Sequence, residues 1–399
     1  MQELFISQNG NSRIIALVEN GKMQEYYEEK ENKNHLEGNI YLAKVKDVLP
    51  GMQAAFVDIG EEKNTFIHIK DIVPKASNIT GNKNEILENY NIRDYIKEGD
   101  SILVQVKKDA TSNKGARITK NIHIVGRFSI LVIGNEFVTI SQKIEEQEEK
   151  ERLISIAKKS LKEYKTKNLG AIIRTSAKNK DEFLIKEDIK NVISKWENLL
   201  NKSKNIKDEE IPKVLYKNES IIQKILLDLI DNKLERIVVD DEILYKKIYT
   251  FLNDTIGSSK VKLQLKNEDI LKTYDLYQQI GKLQNRKIWL KCGGFITIDK
   301  TEALTAIDVN SGKYTGKGNL EQTVLKVNKE ASKEIAKQLR LRDIGGIIII
   351  DYIDMDEEES RNVIIQELQN CLKSDRAKTQ IMEFTKLNLL ELTRKHMFS

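Results

Sequence analysis

The stretch GGFITIDKTEALTAIDVNS, residues 293–311, contains two short apolar runs, and the second run ends at Asp308 and Asn310. A later run of four isoleucines ends at Asp351. The segment between the two aspartates repeats apolar residues at helical spacing and closes with two glycines, which predicts a strand, a helix and a strand. Because consecutive strands of such units are usually neighbours, we expect Asp308 and Asp351 to lie side by side.

Two neighbouring carboxylates repel each other unless a cation lies between them. Oxygen ligands with no histidine or cysteine nearby suit Mg²⁺, for which Mn²⁺ can substitute. Aspartate is also common in the turn that follows a buried strand. The spacing by itself therefore leaves a metal site and an ordinary turn both open.

Two long segments, TEALTAIDVNSG at 301–312 and EIAKQLRLRDIGGIIIIDYIDM at 334–355, resemble the catalytic core of the ribonuclease E/G family of endoribonucleases. The resemblance continues through nearly the whole chain in the same domain order. It implies that Asp308 and Asp351 hold one Mg²⁺ and that the Asn310 amide orients the site.

The resemblance also implies an α+β fold with several subdomains. An RNase H-like subdomain would be formed by residues 1–36 and 216–282, with an S1 RNA-binding domain (an OB-fold barrel) at 37–122 and a 5′-sensor at 123–215 inserted into it. A DNase I-like α/β catalytic subdomain would follow at 283–399. The pattern of residues 262–282 predicts a helical connector into that last part.

Short alternating runs separated by turn residues fill residues 38–122 and independently predict a small β-barrel. Barrels of this class bind single strands by stacking bases on aromatic side chains, while basic residues track the phosphates. The resemblance assigns the stacking positions to Phe56 and Phe66 and the basic positions to Lys108 and Lys114. A lone phenylalanine on a strand more often packs in a core, and only the resemblance favours stacking.

A pocket for the 5′-terminal monophosphate of RNA is the expected role of the next section. The resemblance gives Arg174 and Thr175 as its phosphate-binding pair and Gly126 and Ile130 as part of its lining. Lys378 stands where the family often has arginine, so the charge is kept but the bidentate fork is lost. From the sequence alone, Arg174 and Thr175 would be an ordinary strand end.

Bulk composition sets wider limits on the function. Lysine and arginine number 66 against 61 acidic residues, a net charge of +5, which does not by itself demand nucleic acid. Two distant cysteines exclude a disulfide framework and a zinc knuckle, and favour a cytoplasmic location. No apolar run reaches the roughly 18 residues of a membrane span. A rival acidic pair, Asp240 and Asp241, is interpreted as a solvated turn.

Members of the family commonly continue into a Cys-Pro-x-Cys link in which two chains share one zinc, and this sequence stops before it. We therefore expect no zinc, and a homodimer would have to form without that link. The expected activity is Mg²⁺-dependent hydrolysis of single-stranded RNA to 5′-phosphate and 3′-hydroxyl ends, favouring 5′-monophosphorylated substrates, in rRNA processing and mRNA decay. The alternatives are a catalytically weak RNA-binding or ribosome-associated protein and a Mg²⁺-dependent DNA nuclease.

Overall fold

The computed structural model describes residues 1–30, 35–73, 90–110, 115–164, 168–218, 221–229, 234–256, 261–312 and 320–397. The chain divides into two compact units, which are Met1–Lys33 with Lys233–Ser399 and, second, Asn34–Asn232. Among the described residues, no helix combines the length and the apolar character that crossing a membrane requires.

The strands of the described residues are, in chain order, β1 (Gln2–Asn9), β2 (Ser12–Glu19), β3 (Lys22–Lys30), β4 (Ile40–Leu49), β5 (Ala54–Asp58), β6 (Thr65–His68), β7 (Ser101–Lys108), β8 (Arg117–Thr119), β9 (His123–Val125), β10 (Ser129–Ile133), β11 (Val138–Ile140), β12 (Leu169–Ile173), β13 (Lys213–Tyr216), β14 (Leu234–Val239), β15 (Lys262–Leu265), β16 (Lys287–Trp289), β17 (Phe295–Lys300), β18 (Leu304–Asn310), β19 (Gly346–Asp351), β20 (Thr379–Phe384) and β21 (Leu389–Arg394). The α-helices are α1 (Gln147–Lys162), α2 (Glu182–Lys204), α3 (Ile221–Leu229), α4 (Glu242–Ile256), α5 (Ile270–Thr273), α6 (Leu276–Gly281), α7 (Leu320–Leu341) and α8 (Glu358–Leu372).

The C-terminal part of the first unit is a six-stranded sheet in the order β16-β17-β18-β19-β21-β20. In β18 buried residues alternate with exposed ones, so Ile307 and Val309 enter the core while Asp308 does not. Val327, Ile335 and other apolar residues of α7 pack in the same core. The strand, helix and strand predicted from the sequence are confirmed as β18, α7 and β19, and β18 pairs with β19 in parallel.

A second sheet of the same unit has the order β15-β14-β1-β2-β3, with β14 parallel to both β1 and β15. It therefore joins the start of the chain to strands that follow residue 233. The prediction that residues 262–282 are a helical connector is wrong at its beginning, because Lys262–Leu265 form strand β15. A run of four residues is too short for its periodicity to separate a strand from a helix, and pairing with β14 decides the outcome.

The second unit contains a barrel and a smaller sheet. Strands β4, β5, β6, β8 and β7 follow one another, and β4 also pairs with β7, which closes a five-stranded barrel. A four-stranded sheet, β11-β12-β10-β9, packs with α1 and α2 around an apolar core that includes Trp196. The chain is thus a mixed α/β protein with a five-stranded barrel.

A buried ion network holds the end of β21 in the first unit. The side chains of Arg394 and Asp375 are each 1% exposed and lie 2.7 Å apart, and Arg394 also pairs with Asp343 at 2.8 Å. A third hydrogen bond runs from the Arg394 guanidinium to the carbonyl of Ile344, just before β19. The network therefore connects β21 with the segment that leads into β19.

Replacing Arg394 by methionine removes the cation that pairs with the buried Asp375 and the half-buried Asp343. Breaking a buried ion pair in this way typically costs about 3–5 kcal/mol. We expect faster amide hydrogen exchange in β19 and β21, because exchange reports the stability of this unit separately. Lys246→Met, which breaks an exposed pair with Glu242 on α4, should leave exchange unchanged. Equal exchange in both variants would contradict a stabilising role for the network.

Candidate metal centre

Asp308 and Asp351 are direct partners across the parallel strands β18 and β19. Both side chains lie on the face of the sheet away from the apolar core, and both are exposed. The Asn310 amide donates a hydrogen bond of 2.6 Å to Oδ2 of Asp308. The structure therefore brings together the two aspartates that the sequence predicted as neighbours, together with Asn310, which the resemblance added to the site.

The electrostatics of this pair fit a divalent cation. Partial burial, and then the negative charges of Asp308 and Asp354, raise the pKa of Asp351 above its usual range. Among the residues that the structure describes, no three His, Cys, Asp or Glu side chains converge into a metal-binding group. Two carboxylates with open space around them suit Mg²⁺, which usually keeps several of its waters and takes only one or two carboxylates from the protein.

Thr297, which the sequence analysis missed, belongs to the same cross-strand row. It is the register partner of Asp308 on β17, and its hydroxyl lies 3.5 Å from Oδ2 of Asp308. Lys287 on β16 is in turn the partner of Thr297. Only the strand register identifies these positions, because both residues are separated from Asp308 by at least ten positions of sequence.

The rival acidic pair is occupied by structural hydrogen bonds. Asp240 accepts from the backbone N–H of Gln8 at 2.9 Å and from the hydroxyl of Ser7 on β1. Asp241 accepts from the backbone N–H of Leu244 at 2.6 Å, at the beginning of α4. The pair lies in a bend between β14 and α4, as the sequence predicted. The two residues are half-buried rather than fully solvated, and their carboxylates fix the bend to a strand and a helix.

A second row of side chains crosses the barrel of the other unit. Phe56 on β5 pairs with Phe66 on β6, with ring centroids 6.2 Å apart, and both rings are half-buried. Phe66 pairs with Arg117, and Arg117 pairs with the exposed Lys108 on β7. Arg117, which the sequence analysis missed, therefore lies between the predicted stacking and basic positions. The predicted position Lys114 lies outside the described residues.

Gly126 begins a tight loop between β9 and β10. The carboxylate of Asp188 on α2 accepts hydrogen bonds from the backbone N–H groups of Arg127 and Phe128 and from the hydroxyl of Ser129, at 2.7–3.0 Å. A Cβ atom on Gly126 would lie 2.7 Å from Oδ2 of Asp188. Because three hydrogen bonds hold that carboxylate in place, this position has room only for glycine.

Arg174 follows β12 and reaches the same loop. Its guanidinium donates to the carbonyl of Gly126 at 2.8 Å and forms an ion pair with Asp228 of α3. The hydroxyl of Thr175 lies 2.8 Å from that of Ser141. Asp228 was missed by the sequence analysis. It binds the guanidinium of Arg174, the group that was expected to bind phosphate.

Ile130 and Lys378 are the two remaining predicted residues of the phosphate pocket, and they lie in different units of the chain. Ile130 is half-buried on β10 and pairs with Ile172 and Val125 in the same small sheet. Lys378 is exposed and belongs to the first unit, whereas Arg174 belongs to the second. The roles of these residues in binding phosphate stay predictions.

Comparisons with known proteins add an independent line of observation. A model of the Ribonuclease E/G family matches residues 123–397. Ribonuclease G of Escherichia coli strain K12 is 36% identical over 395 residues, which are 98% of this chain and 79% of that protein. Ribonuclease G of Haemophilus influenzae is 37% identical over 396 residues with the same two shares, 98% and 79%. Ribonuclease E of Synechocystis is 35% identical over 378 residues, 90% of this chain and 52% of that protein.

Replacing Asp351 by asparagine should stabilise the protein in EDTA. The raised pKa means that the charged form of Asp351 is disfavoured in the folded state, and a neutral amide removes that penalty. Mg²⁺ should raise the thermal midpoint of the unchanged protein but not that of the variant, because only the former offers both carboxylates.

Glu302→Gln is the matched control, because Glu302 is an exposed carboxylate in the turn between β17 and β18. Mg²⁺ should raise the thermal midpoint of Glu302→Gln as much as that of the unchanged protein. If Mg²⁺ raised the thermal midpoint of Asp351→Asn as much as that of the unchanged protein, a cation site at this pair would be excluded.

Proposed function

Because this chain belongs to the ribonuclease E/G family and is an endoribonuclease, we propose that it hydrolyses internal phosphodiester bonds of single-stranded RNA at a Mg²⁺ site held by Asp308 and Asp351. The observation that carries the proposal is the direct pairing of these two aspartates on parallel strands, with Asn310 bonded to one of them. The products would carry 5′-phosphate and 3′-hydroxyl ends.

Each residue of the centre has a distinct task in the proposed reaction. A Mg²⁺ ion there would supply Lewis-acid stabilisation of the charge that develops on the phosphate oxygens. The carboxylates of Asp308 and Asp351 would hold the cation. Asn310 holds the Asp308 carboxylate in one orientation by donating a hydrogen bond to Oδ2, which would leave Oδ1 available to the cation. Thr297 supports the same orientation from the neighbouring strand.

The larger parts of the fold take the family's subdomain names within this proposal. The sheet that bears Asp308 would be the DNase I-like subdomain, and the sheet of β1, β2, β3, β14 and β15 the RNase H-like one. The barrel would be the S1 domain that clamps unpaired RNA. The row of Phe56, Phe66, Arg117 and Lys108 supports this role, because it sets two half-buried aromatic rings beside the exposed Lys108 and beside Arg117, whose guanidinium also pairs with Asp71.

Preference for a 5′-monophosphate would come from the loop that begins at Gly126. The Arg174 guanidinium and the Thr175 hydroxyl supply donors of the kind that hold a phosphate dianion. Asp228 competes for that guanidinium, so the phosphate would have to share or displace it. A cytoplasmic enzyme with this preference would act on the fragments that follow a first cut, in rRNA processing and mRNA decay.

Asp308→Asn should abolish cleavage while RNA binding persists. We expect the cleavage rate of a fluorescent AU-rich single-stranded RNA to fall by at least about 10²-fold, as for the loss of one preorganised electrostatic interaction. The affinity of the Asp308→Asn variant for this RNA in EDTA should change by less than about twofold, because the stacking and basic residues are untouched. The Glu302→Gln variant should cleave at the unchanged rate.

Three results of this experiment would change the assignment. Unaltered cleavage by Asp308→Asn would contradict the proposed site. Binding without cleavage by the unchanged protein would favour the catalytically weak RNA-binding protein. Equal cleavage of a DNA oligomer of the same sequence would favour the general Mg²⁺-dependent nuclease.

Arg174→Lys should reduce the preference for 5′-monophosphorylated over 5′-hydroxyl RNA. The change keeps a positive charge but loses at least one charge-assisted hydrogen bond, worth about 1.5–3 kcal/mol. We therefore expect the ratio of kcat/KM values for the two substrates to fall roughly tenfold or more, with little change for the 5′-hydroxyl RNA. Lys190→Gln, in an exposed pair on α2, serves as the control, and an unchanged ratio in Arg174→Lys would remove Arg174 from the pocket.

A further inference from the structure

Trp289 is a large aromatic side chain that the fold leaves uncovered. It lies on the edge strand β16 and is 61% exposed. Phe295 on β17 packs against it edge to face, with ring centroids 5.3 Å apart. The ammonium group of Lys287 lies 4.2 Å from the centre of the Trp289 ring and 3.5 Å from that of Phe295. We call these three residues the aromatic platform.

The strand register places the aromatic platform on the same face of the sheet as the metal centre. Trp289 pairs with Phe295, and Phe295 pairs with Asn310. Lys287 pairs with Thr297, which pairs with Asp308. At about 4.8 Å between neighbouring strands, the backbone of Trp289 lies about 10 Å from that of Asn310. A short stretch of extended RNA spans this distance.

Trp289 also borders a groove of about 860 Å³ between α7 and the beginning of β3. Two glutamates and six lysines line this groove, the lysines being Lys22, Lys291, Lys326, Lys329, Lys333 and Lys337. The carboxylate of Glu330 is engaged by the backbone N–H groups of Lys291 and Cys292. Glu334 pairs with Lys337, and Lys333 pairs with Glu367 of α8, so three carboxylates stand against six lysines. The groove therefore keeps an excess of positive charge, which suits a polyanion.

Protection of the sheet edge is the other interpretation of this cluster, because a charged lysine on an edge strand discourages pairing with other chains. That interpretation accounts for Lys287 alone. It gives no reason for an indole that remains 61% exposed on the face of the catalytic residues and beside six lysines. Exposed aromatic faces next to basic grooves are how proteins hold single-stranded nucleic acid without reading its sequence.

We propose that the aromatic platform and the lysine groove form a second binding site for the single-stranded RNA substrate, distinct from the barrel. One base beside the scissile bond stacks on Trp289 on the metal-centre face. The phosphates that follow it pass around the edge strand β16 to the lysines of α7, which packs against the other face of the sheet. The site fixes the direction in which the RNA crosses the metal centre. This inference rests on the proposed function and adds a subsite to it.

Fluorescence offers a direct test, since the chain has two tryptophans and the other, Trp196, is 5% exposed. In a Trp196→Phe variant the emission comes from Trp289 alone. Titration with AU-rich single-stranded RNA in EDTA should quench it saturably, because a stacked base deactivates the excited indole. RNA that binds without altering the emission would overturn the proposal.

A second measurement needs no change at Trp196. With fluorescently labelled RNA in EDTA, Trp289→Ala should weaken binding between about 5-fold and 150-fold, the range for loss of one stacked base. Trp289→Phe should recover most of the affinity. Tyr249→Ala is the control, since Tyr249 is 54% exposed on α4 in the same unit. Binding of Trp289→Ala equal to that of the unchanged protein would overturn the proposal.

If RNA phosphates bind in the lysine groove, these lysines contribute to the salt dependence of RNA affinity. Replacing Lys329 and Lys333 by glutamine should flatten the plot of log affinity against log salt concentration by about 0.7 for each phosphate that these lysines neutralise. Lys246→Gln on α4 should leave the slope unchanged, and an unchanged slope in the double variant would remove the groove from the site.

These assays distinguish a failure of the subsite from a failure of the proposed function. If the unchanged protein did not bind RNA at all, both the proposed function and this subsite would be overturned. Normal binding and cleavage by the Trp289 variants would overturn the subsite alone.

Discussion

The parallel pairing of β18 with β19 is the constraint on which the six-stranded sheet and its candidate site depend. It sets Asp308 opposite Asp351, although their mutual repulsion opposes this arrangement. The apolar face of the same strands supplies the opposing force, because Ile307, Val309 and Ile350 are almost fully buried against the helices. The sheet thus holds two like charges together by burying the residues next to them, and this arrangement fits the divalent cation that we propose.

Alternation of side chains along each strand gives this sheet one face that packs in the core and one face that carries the candidate site. Alternate residues enter the core, and the residues between them stand in rows across the strands. Asp308 and Thr297 belong to one row, and Asn310, Phe295 and Trp289 to the next. Side chains from different strands, such as Trp289 and Phe295, therefore share one surface and contact each other there. The barrel follows the same rule on a smaller scale, in the row that runs from Phe56 to Lys108.

Elsewhere the local geometry depends on charged groups that are fixed by hydrogen bonds. Asp188 holds the loop at Gly126 through three hydrogen bonds and excludes any larger residue there. Asp228 shares the guanidinium of Arg174, and Asp375 holds Arg394 at the end of β21. In each case a carboxylate fixes a loop or a cation beside a candidate site or in the core. Removing the carboxylate would alter position as well as charge.

Local pattern in the sequence determined the strand, helix and strand around Asp308, the two aspartates at strand ends and the existence of a barrel near Phe56. These features follow from alternation, helical spacing and turn residues, which act over a few positions of the chain. Only the tertiary structure decided that Lys262–Leu265 join a sheet, that Arg117 lies beside Phe66, that Asp228 meets Arg174 and that Trp289 lies on the same face of the sheet as Asn310. The physical reason is that strand register and ion pairing join residues distant in sequence, and which of them meet depends on how the whole chain packs.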